Sequence, residues 1–281
     1  MMKILKSIVF VFLCVFIGLT QAQPSNTIKM VVAFPPGGPV DSMARSLVEP
    51  LGKELGAQIV IENKPGGNGA IVAEYIAANP ADGKTIWFTS AGAVAINPGL
   101  YEKLSYNPLK DLAPVSLVAN NVEVLVVNPS SPVINAVDFI FIARSKDLTM
   151  GSSGTGSVPH LALEQLNDSA GVKILHVPYK GAGPALTDVI GGQVDVMFAT
   201  ASAVGSLVEA GKLRALAVTT PTRSPTPLLA KLPTVAESGV PGYSAGSWYG
   251  YFAPAGTPPD VINKLNASIK KAAQSTAFKS R

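Results

Sequence analysis

The sequence predicts a two-domain α/β protein with parallel-rich sheets and a hinged cleft between the domains. The chain of 281 residues is long enough for two domains of ordinary size. Short β-rich runs alternate with helical patterns, which is typical of a mostly parallel sheet covered on both faces. A Pro- and Ser-rich stretch, 220–227, then precedes a strand, 248–253, that would return to the first domain. We therefore predict domain one over 23–122 and 228–281, with domain two, 123–227, inserted in it.

The first twenty-two residues have the pattern of a secretory signal peptide. Lys3 and Lys6 precede an apolar run, and Thr20 and Ala22 place small residues before a cut after about Ala22. An uncleaved membrane anchor is the alternative, but no stop-transfer flank follows. We expect export to the periplasm. Cys14 would be lost with this segment, leaving a mature chain without thiol chemistry.

Composition and charge argue against two kinds of protein, an intrinsically disordered chain and a nucleic-acid-binding protein. Hydrophobic residues make up 47% of the chain and charged residues only 14%, which excludes disorder as the dominant state. The formal net charge is +4, and removing Lys3 and Lys6 with the leader lowers it by two. No run of Lys and Arg follows that would track a phosphate backbone, so nucleic acid is not a predicted partner.

The predicted elements alternate in both domains. Met43, Leu47 and Leu51 recur at helical spacing after a glycine turn, which indicates a helix from about Val40. In domain one we predict strands over 27–34, 58–62 and 85–89, a helix over 70–78 and a helical turn over 97–101. In domain two we predict strands over 122–127, 149–150, 173–177, 194–198 and 213–219, separated by helices that include 137–144, 159–166 and 184–190.

Loop one, residues 34–41, is the sharpest local feature. A glycine turn between a strand and a helix leaves backbone N–H groups pointing outward, where the helix dipole favours an anion. The alternative is that the glycines only make a tight turn and Asp41 only caps the helix. The candidate ligand contacts in this loop are Phe34, Pro36, Gly37, Gly38 and Asp41.

Loop two, residues 151–157, repeats this chemistry in domain two with uncharged donors. Two such loops facing each other would hold a small anion through oriented hydrogen bonds, without a buried Arg. Neither loop matches a nucleotide fingerprint, since Pro159 stands where a third glycine is needed and the Walker lysine is missing. The candidate contacts here are Ser152, Gly154, Thr155, Gly156 and Ser157.

Three further residues are weaker candidates. Asn68 lies in a Gly-rich loop, 63–69, which either lines the same cleft or is a solvated turn. Ser90 follows the predicted third strand. Asp195 interrupts an apolar strand, where its carboxylate would either receive a ligand hydroxyl or amine, or be satisfied by backbone donors at the cleft edge.

Reactive side chains are too few for a predicted active site. We expect His160 and His176 to be structural, with His160 orienting loop two through a hydrogen bond. Ser244 sits in a G-x-S-x-G match, but no strand leads into it and both histidines precede it, unlike the order in α/β-hydrolases. Metal-ligand spacings are missing as well. We predict no enzyme activity, metal or cofactor.

Several of these runs together resemble one family of periplasmic receptors. The resemblance covers essentially the whole mature chain. The runs that carry it are 32–41 with Ala44 and Arg45, 62–69, 97–101, 151–156, 177–181, 192–195 and 232–237. In order and spacing they are similar to the tripartite tricarboxylate transporter receptors, the Bug family of periplasmic binding proteins.

The resemblance implies a type II periplasmic-binding-protein fold, known as a Venus flytrap, that binds small carboxylates. The ligand would be a small mono-, di- or tricarboxylate, with the di- or tricarboxylate or acidic amino acid class preferred, held between loop one and Ser152 to Ser157. The implied partners are a large and a small integral membrane transporter subunit, driven by an ion gradient, and the receptor itself would be a monomer. A ligand-sensing adaptor for a membrane sensor kinase is the alternative.

Two departures from the family pattern stand out. Val40 occupies the position before the aspartate where the family usually has a hydroxyl residue, which would remove one contact to ligand or water. The chain also ends at Arg281, in what should be only the first part of a C-terminal helical region that packs on domain one. The expectation is a shortened cover on domain one.

Overall fold

The computed structural model describes residues 26–279, so the predicted signal peptide lies outside the described residues. Nine strands form the framework of these described residues. Their bounds are β1 Thr27–Val32, β2 Gln58–Asn63, β3 Thr85–Ser90, β4 Leu112–Val127, β5 Leu148–Ser152, β6 Ile174–Pro178, β7 Val196–Thr200, β8 Arg214–Val218 and β9 Gly246–Pro254.

Ten α-helices connect and cover these strands within the described residues. Their bounds are α1 Pro39–Leu55, α2 Ala70–Ala77, α3 Asn97–Leu100, α4 Pro108–Asp111, α5 Ala136–Ala143, α6 Val158–Ala170, α7 Ala182–Ile190, α8 Ala201–Glu209, α9 Pro259–Ala272 and α10 Thr276–Lys279. A 3₁₀ turn, Gly67–Gly69, and a π turn, Gly92–Ile96, precede α2 and α3. Between residues 26 and 279, no helix combines the length and the apolar character that a membrane crossing requires.

Strand β4 connects two groups of parallel strands. The order of hydrogen-bonded neighbours is β2-β1-β3-β9-β4-β7-β5-β6, and β8 also pairs with β4. Strand β1 pairs in parallel with β2 and β3, and β5 pairs in parallel with β6 and β7. The first part of β4 is antiparallel to β9, and its last part is antiparallel to β7 and β8. We call the β1–β3 and β9 half lobe one, and the β5–β8 half lobe two; β4 crosses between them.

Adjacent residues on one strand show that each sheet is covered on both faces. In lobe one, Phe88 packs into the cluster built by α1 and α9, whereas the preceding Trp87 packs into the cluster under α2. In lobe two, Met197 and Phe198 divide in the same way between two clusters. Since successive side chains on a strand point to opposite faces, each lobe has two apolar layers. The predicted two-lobed α/β fold is confirmed by this arrangement and by its structural relatives.

Strand β4 is much longer than the predicted 122–127. Pro114 lacks a backbone N–H, and the polar pair Asn120 and Asn121 hides the apolar pattern of its first half. The strand absorbs Pro114 through an irregularity in its pairing with β9 between Pro114 and Ser116. A strand signal therefore exists only in the apolar second half.

The segment before β9 packs on lobe two. Val235, Val240 and Tyr243 belong to the same buried cluster as Phe198, and the Tyr243 hydroxyl donates a 2.8 Å hydrogen bond to the carbonyl oxygen of Ala162. The domain limit at residue 227 stays a prediction. We propose, from this packing, that the return to lobe one falls near the start of β9.

Candidate functional site: the cleft between the lobes

A cavity of about 350 Å³ lies between the two lobes. Loop one and Asn68 contribute lobe-one residues, loop two and the start of α7 contribute lobe-two residues, and strands β4, β7 and β9 form the base. This volume suits a small organic molecule. We call this space the central cavity.

Four helices begin at the central cavity. Their N-cap residues are Gly38 for α1, Ser157 for α6, Gly181 for α7 and Thr200 for α8, and all four line the cavity. None of these N-caps makes a side-chain capping bond to its own helix. The first N–H groups of a helix have no intrahelical acceptor, and the helix dipole places partial positive charge there. The convergence of four such ends makes the cavity attractive to an anion.

Asp41 holds loop one in shape from beneath. Its buried carboxylate accepts hydrogen bonds from the backbone N–H of Gly37 at 2.8 Å, from Arg45 Nε at 2.7 Å and from Asn63 Nδ2 at 2.8 Å. Burial alone would raise the pKa of Asp41, but the hydrogen bonds from Arg45, Gly37 and Asn63 outweigh it and hold that pKa below its usual value. Asp41 therefore stays ionised and braces the loop.

Two histidines hold loop two. The Oγ of Ser152 lies 2.6 Å from Nε2 of His176 and also accepts a hydrogen bond from the N–H of Gly154 at 3.1 Å. The N–H of Gly156 donates to Nδ1 of His160 at 3.1 Å, which confirms the predicted orienting role of His160. The two imidazole rings stack with centroids 4.0 Å apart. Burial, and then the neighbouring His160, lower the pKa of His176 to about 4, so His176 is neutral at ordinary pH.

Besides Glu123 at the base, two polar groups at the central cavity have no partner within residues 26–279. One is the Oγ of Ser157, and the other is the Oδ1 of Asn68; both atoms are buried. The amide nitrogen of Asn68 is engaged, since it donates to the carbonyl oxygen of Gly156 at 2.7 Å and to Oδ1 of Asn97 at 3.1 Å. A buried polar atom without a partner is costly, so both atoms are available to a ligand.

The predicted site residues divide into two groups by position. Seven line the central cavity: Phe34, Pro36, Gly37, Gly38, Asn68, Ser90 and Ser157. Six do not: Asp41, Ser152, Gly154, Thr155, Gly156 and Asp195. Of these, Asp41, Ser152 and Gly156 make the supporting bonds described above, while Gly154 and Thr155 line a neighbouring groove of about 270 Å³.

Asp195 lies away from the central cavity. Its exposed carboxylate accepts hydrogen bonds from the N–H and the Oγ1 of Thr149, at 2.8 Å and 2.7 Å. The geometry matches the alternative in which backbone and side-chain donors satisfy this group, and it gives no support to a ligand contact.

Sequence reasoning missed the base of the cavity, which is formed by Glu123, Thr200, Ser247 and Tyr249. Glu123 interrupts an apolar run of the sequence just as Asp195 does, so the same signal was present at both positions. Gly181, which opens α7, stood out in the sequence only as part of a family motif. Within residues 26–279, no group of acidic, His and Cys side chains is placed to hold a metal ion.

This fold and cavity define a two-lobed solute-binding protein, and solved structures of the same shape agree. The periplasmic binding protein BugD is 35% identical with a TM-score of 0.85, covering 92% of this chain and 86% of that one. The R. palustris protein Rpa4515, solved with adipate, is 38% identical with a TM-score of 0.86 over 92% and 86% of the two chains. MatC from Rhodopseudomonas palustris, solved with bound malate, is 33% identical with a TM-score of 0.84 over 92% and 87%.

Residues 43–281 match the family described as tripartite tricarboxylate transporter family receptor, and the chain belongs to that family. Among curated relatives, Protein BugT from Bordetella pertussis is 37% identical over 261 residues, covering 92% of this chain and 79% of BugT. The UPF0065 protein in the tcbD-tcbE intergenic region of Pseudomonas sp. strain P51 is 39% identical over 255 residues, covering 90% and 75%. The resemblance stated from the sequence motifs is confirmed.

Proposed function

We propose that the chain is a periplasmic receptor that captures a small carboxylate in the central cavity, between loop one and residues 152–157, and delivers it to a tripartite tricarboxylate-type transporter. The observation that carries the proposal is the convergence of four helix N-termini on one cavity. Oriented backbone N–H groups bind a carboxylate without a counter-charge.

The lining of the cavity supports an anion held by neutral donors. Among the residues of 26–279 that line it, none is Lys, Arg or His. The hydroxyl of Ser157 and the first-turn N–H groups of α1, α6 and α7, which no N-cap side chain caps, supply the donors. Phe34, Val40 and Val158 supply apolar walls suited to a short carbon chain.

Relatives support the ligand class and the transport role. Rpa4515 was solved with adipate, and MatC was solved with bound malate. For this chain we propose a small di- or tricarboxylate or an acidic amino acid. The family description supports delivery to integral membrane subunits, and the signal-like segment 1–22 together with the periplasmic relatives supports export.

Calorimetric titration of residues 23–281 tests this proposal. The panel contains succinate, malate, adipate, citrate, aspartate and glutamate, with the diamide of adipic acid as an uncharged ligand of matched length. We expect at least one carboxylate to bind with a micromolar or tighter Kd and the diamide not to bind. If no carboxylate binds to folded protein, or if the diamide binds as tightly as adipate, the proposal is wrong.

A further inference from the structure

The base of the central cavity contains a buried acid that loops one and two do not use. Glu123 lies on β4, lines the cavity and has only 1% of its surface exposed. Its Oε2 is buried and has no hydrogen-bond partner within residues 26–279. A buried carboxyl oxygen that has no partner and lies at a cavity is a candidate for contact with a ligand.

Contacts from β7 and from Thr219, which follows β8, fix the backbone of Glu123 in place. It pairs directly across β4 and β7 with Thr200, the N-cap of α8. On the other side its carbonyl oxygen accepts hydrogen bonds from the N–H of Thr219 at 3.0 Å and from the Oγ1 of Thr219 at 3.1 Å. The carboxyl group therefore sits on a rigid part of the cavity wall.

No cationic side chain lines the cavity within the described residues, so nothing there balances a negative charge on Glu123. The titratable groups that interact with Glu123 are Tyr243, from the segment before β9, and Tyr249 on β9. Burial and the nearby Glu123 raise the pKa of both phenols, so both are neutral. Burial also raises the pKa of Glu123 to about 8.

We propose that Glu123 binds the ligand as a neutral carboxylic acid and donates a hydrogen bond to a second oxygen-bearing group of that ligand. This inference rests on the proposed function, in which helix N-termini hold the first carboxylate. It narrows the ligand to bifunctional acids, which are dicarboxylates and oxo- or hydroxy-carboxylates. A simple monocarboxylate would leave the acid proton of Glu123 unpaired.

A neutral Glu123 that donates a hydrogen bond predicts which ligands bind more tightly. It also predicts the direction in which affinity changes with pH. A buried donor without an acceptor costs enough to reduce affinity about tenfold or more, so a monocarboxylate of equal length should bind at least that much more weakly. When Glu123 ionises it loses its donor and repels an anionic ligand. Affinity for a bifunctional acid should therefore be constant up to about pH 7 and fall about tenfold per pH unit above pH 8.

Calorimetry at pH 6 to 9 on the wild type, Glu123→Gln and Glu123→Leu tests the proposal, with adipate against hexanoate as the matched pair. Glu123→Gln keeps a donor of the same shape and should lose the pH dependence. Glu123→Leu should lose the preference for adipate. Glu49→Gln is the control, because Glu49 is exposed on α1 and should leave the wild-type profile unchanged.

A measurement on the wild type does not depend on the variants folding. At pH 7 the infrared spectrum should contain the C=O band of one protonated carboxyl group, and that band should shift when a bifunctional acid binds. A missing band overturns the inference, as does an unchanged pH profile in Glu123→Gln.

Two other outcomes separate the inference from the function on which it rests. Affinity that rises with pH overturns the inference in favour of an ionised Glu123 that accepts a ligand amine, while carboxylate binding itself stands. Wild-type protein that binds no carboxylate at any pH overturns the proposed function, and the inference with it.

Discussion

The side-chain nitrogen of Asn68 in lobe one donates a 2.7 Å hydrogen bond to the carbonyl oxygen of Gly156 in lobe two. The amide is held in this orientation by Asn97, which in turn donates to the hydroxyl of Tyr106 at 3.1 Å. Backbone geometry also fixes Asn68, which has a φ of 49°, in the left-handed region that Asn tolerates. This bond joins the two lobes across the cleft, so moving the lobes apart would break it.

Replacing Asn68 by Gly should weaken ligand binding about 2- to 12-fold, because one hydrogen bond of the closed state is lost. Glycine accepts the left-handed backbone, so the unfolding temperature should stay close to that of the wild type. Asn68→Ala loses the same bond and adds backbone strain of about 1 kcal/mol, so it should also melt lower. Calorimetry and thermal unfolding separate the two effects. Wild-type affinity in Asn68→Gly would contradict this role.

Replacing Gly38 by Val should abolish carboxylate binding while the protein still folds. Gly38 has a φ of −74° and ψ of 170°, which any residue adopts, and an added Cβ meets only the Pro35 carbonyl oxygen, at an ordinary 3.5 Å. Its branches would block ligand from the N–H groups at the start of α1. The loss of a favourable N-cap should cost roughly 1 kcal/mol.

Gly99→Val is the matched control for Gly38→Val. Gly99 lies outside the cavity lining, and an added Cβ there meets no atom within 4 Å. It should bind like the wild type. Gly154→Val is a poor comparison, because Gly154 has a φ of 131° and an added Cβ would lie 3.1 Å from the carbonyl oxygen of Tyr179. Gly154→Val should therefore lose stability as well as binding. Wild-type affinity in Gly38→Val would show that the anion binds elsewhere.

Glu123 should make the protein less stable as pH rises. Its pKa is about 8 in the folded state against a usual 4.5, so the folded protein binds the proton more tightly than the unfolded chain does. The stabilisation is complete below pH 4.5 and is lost as pH rises to about 8, with a total on the order of 5 kcal/mol. The free energy of unfolding of the wild type minus that of Glu123→Gln, measured by urea titration, should fall over this range. A constant difference would contradict the buried, protonated state.

His176 should make the protein less stable as pH falls, which is the opposite of the effect of Glu123. Its pKa is about 4 in the folded state against a usual 6.5, so the unfolded chain takes up the proton first. The stability that depends on neutral His176 is present above pH 6.5 and is lost as pH falls towards 4. His176→Gln keeps a polar group near Ser152 and should remove this component. The unfolding temperature of the wild type relative to the variant should therefore drop on acidification, and a parallel response of the two proteins would contradict it.

Sequence pattern predicted most of the fold because its signals are local. The helical spacing of Met43, Leu47 and Leu51 sets the buried face of α1, and the glycines of loop one mark the turn before that helix. The extent of β4 was not predictable, since its first half becomes a strand only by pairing with β9. Local signals also do not say in which direction a polar side chain points.

Asp195 and Glu123 show most clearly that local sequence does not predict the surroundings of a polar side chain. Each is an acid flanked by valines in an apolar stretch of sequence, and nothing near either in sequence distinguishes them. The difference comes from distant residues: Thr149 offers two donors to Asp195, whereas Glu123 lies where β4 passes from one lobe to the other and is closed off from solvent. Asp41 and Ser152 lie in the two predicted loops, but their side chains bond to the protein itself.

The four helix ends at the central cavity also bear on how this receptor can diverge. An anion site made of main-chain N–H groups is retained in most side-chain replacements, because every residue except proline carries that group. Changes at Val40, Ser90 or Thr187 would then reshape the walls of the cavity without removing its attraction for a carboxylate. In the proposed mode of binding, capture depends on main-chain N–H groups and selectivity on the side chains of the walls, so a single substitution in the walls would change the preferred ligand while capture is retained.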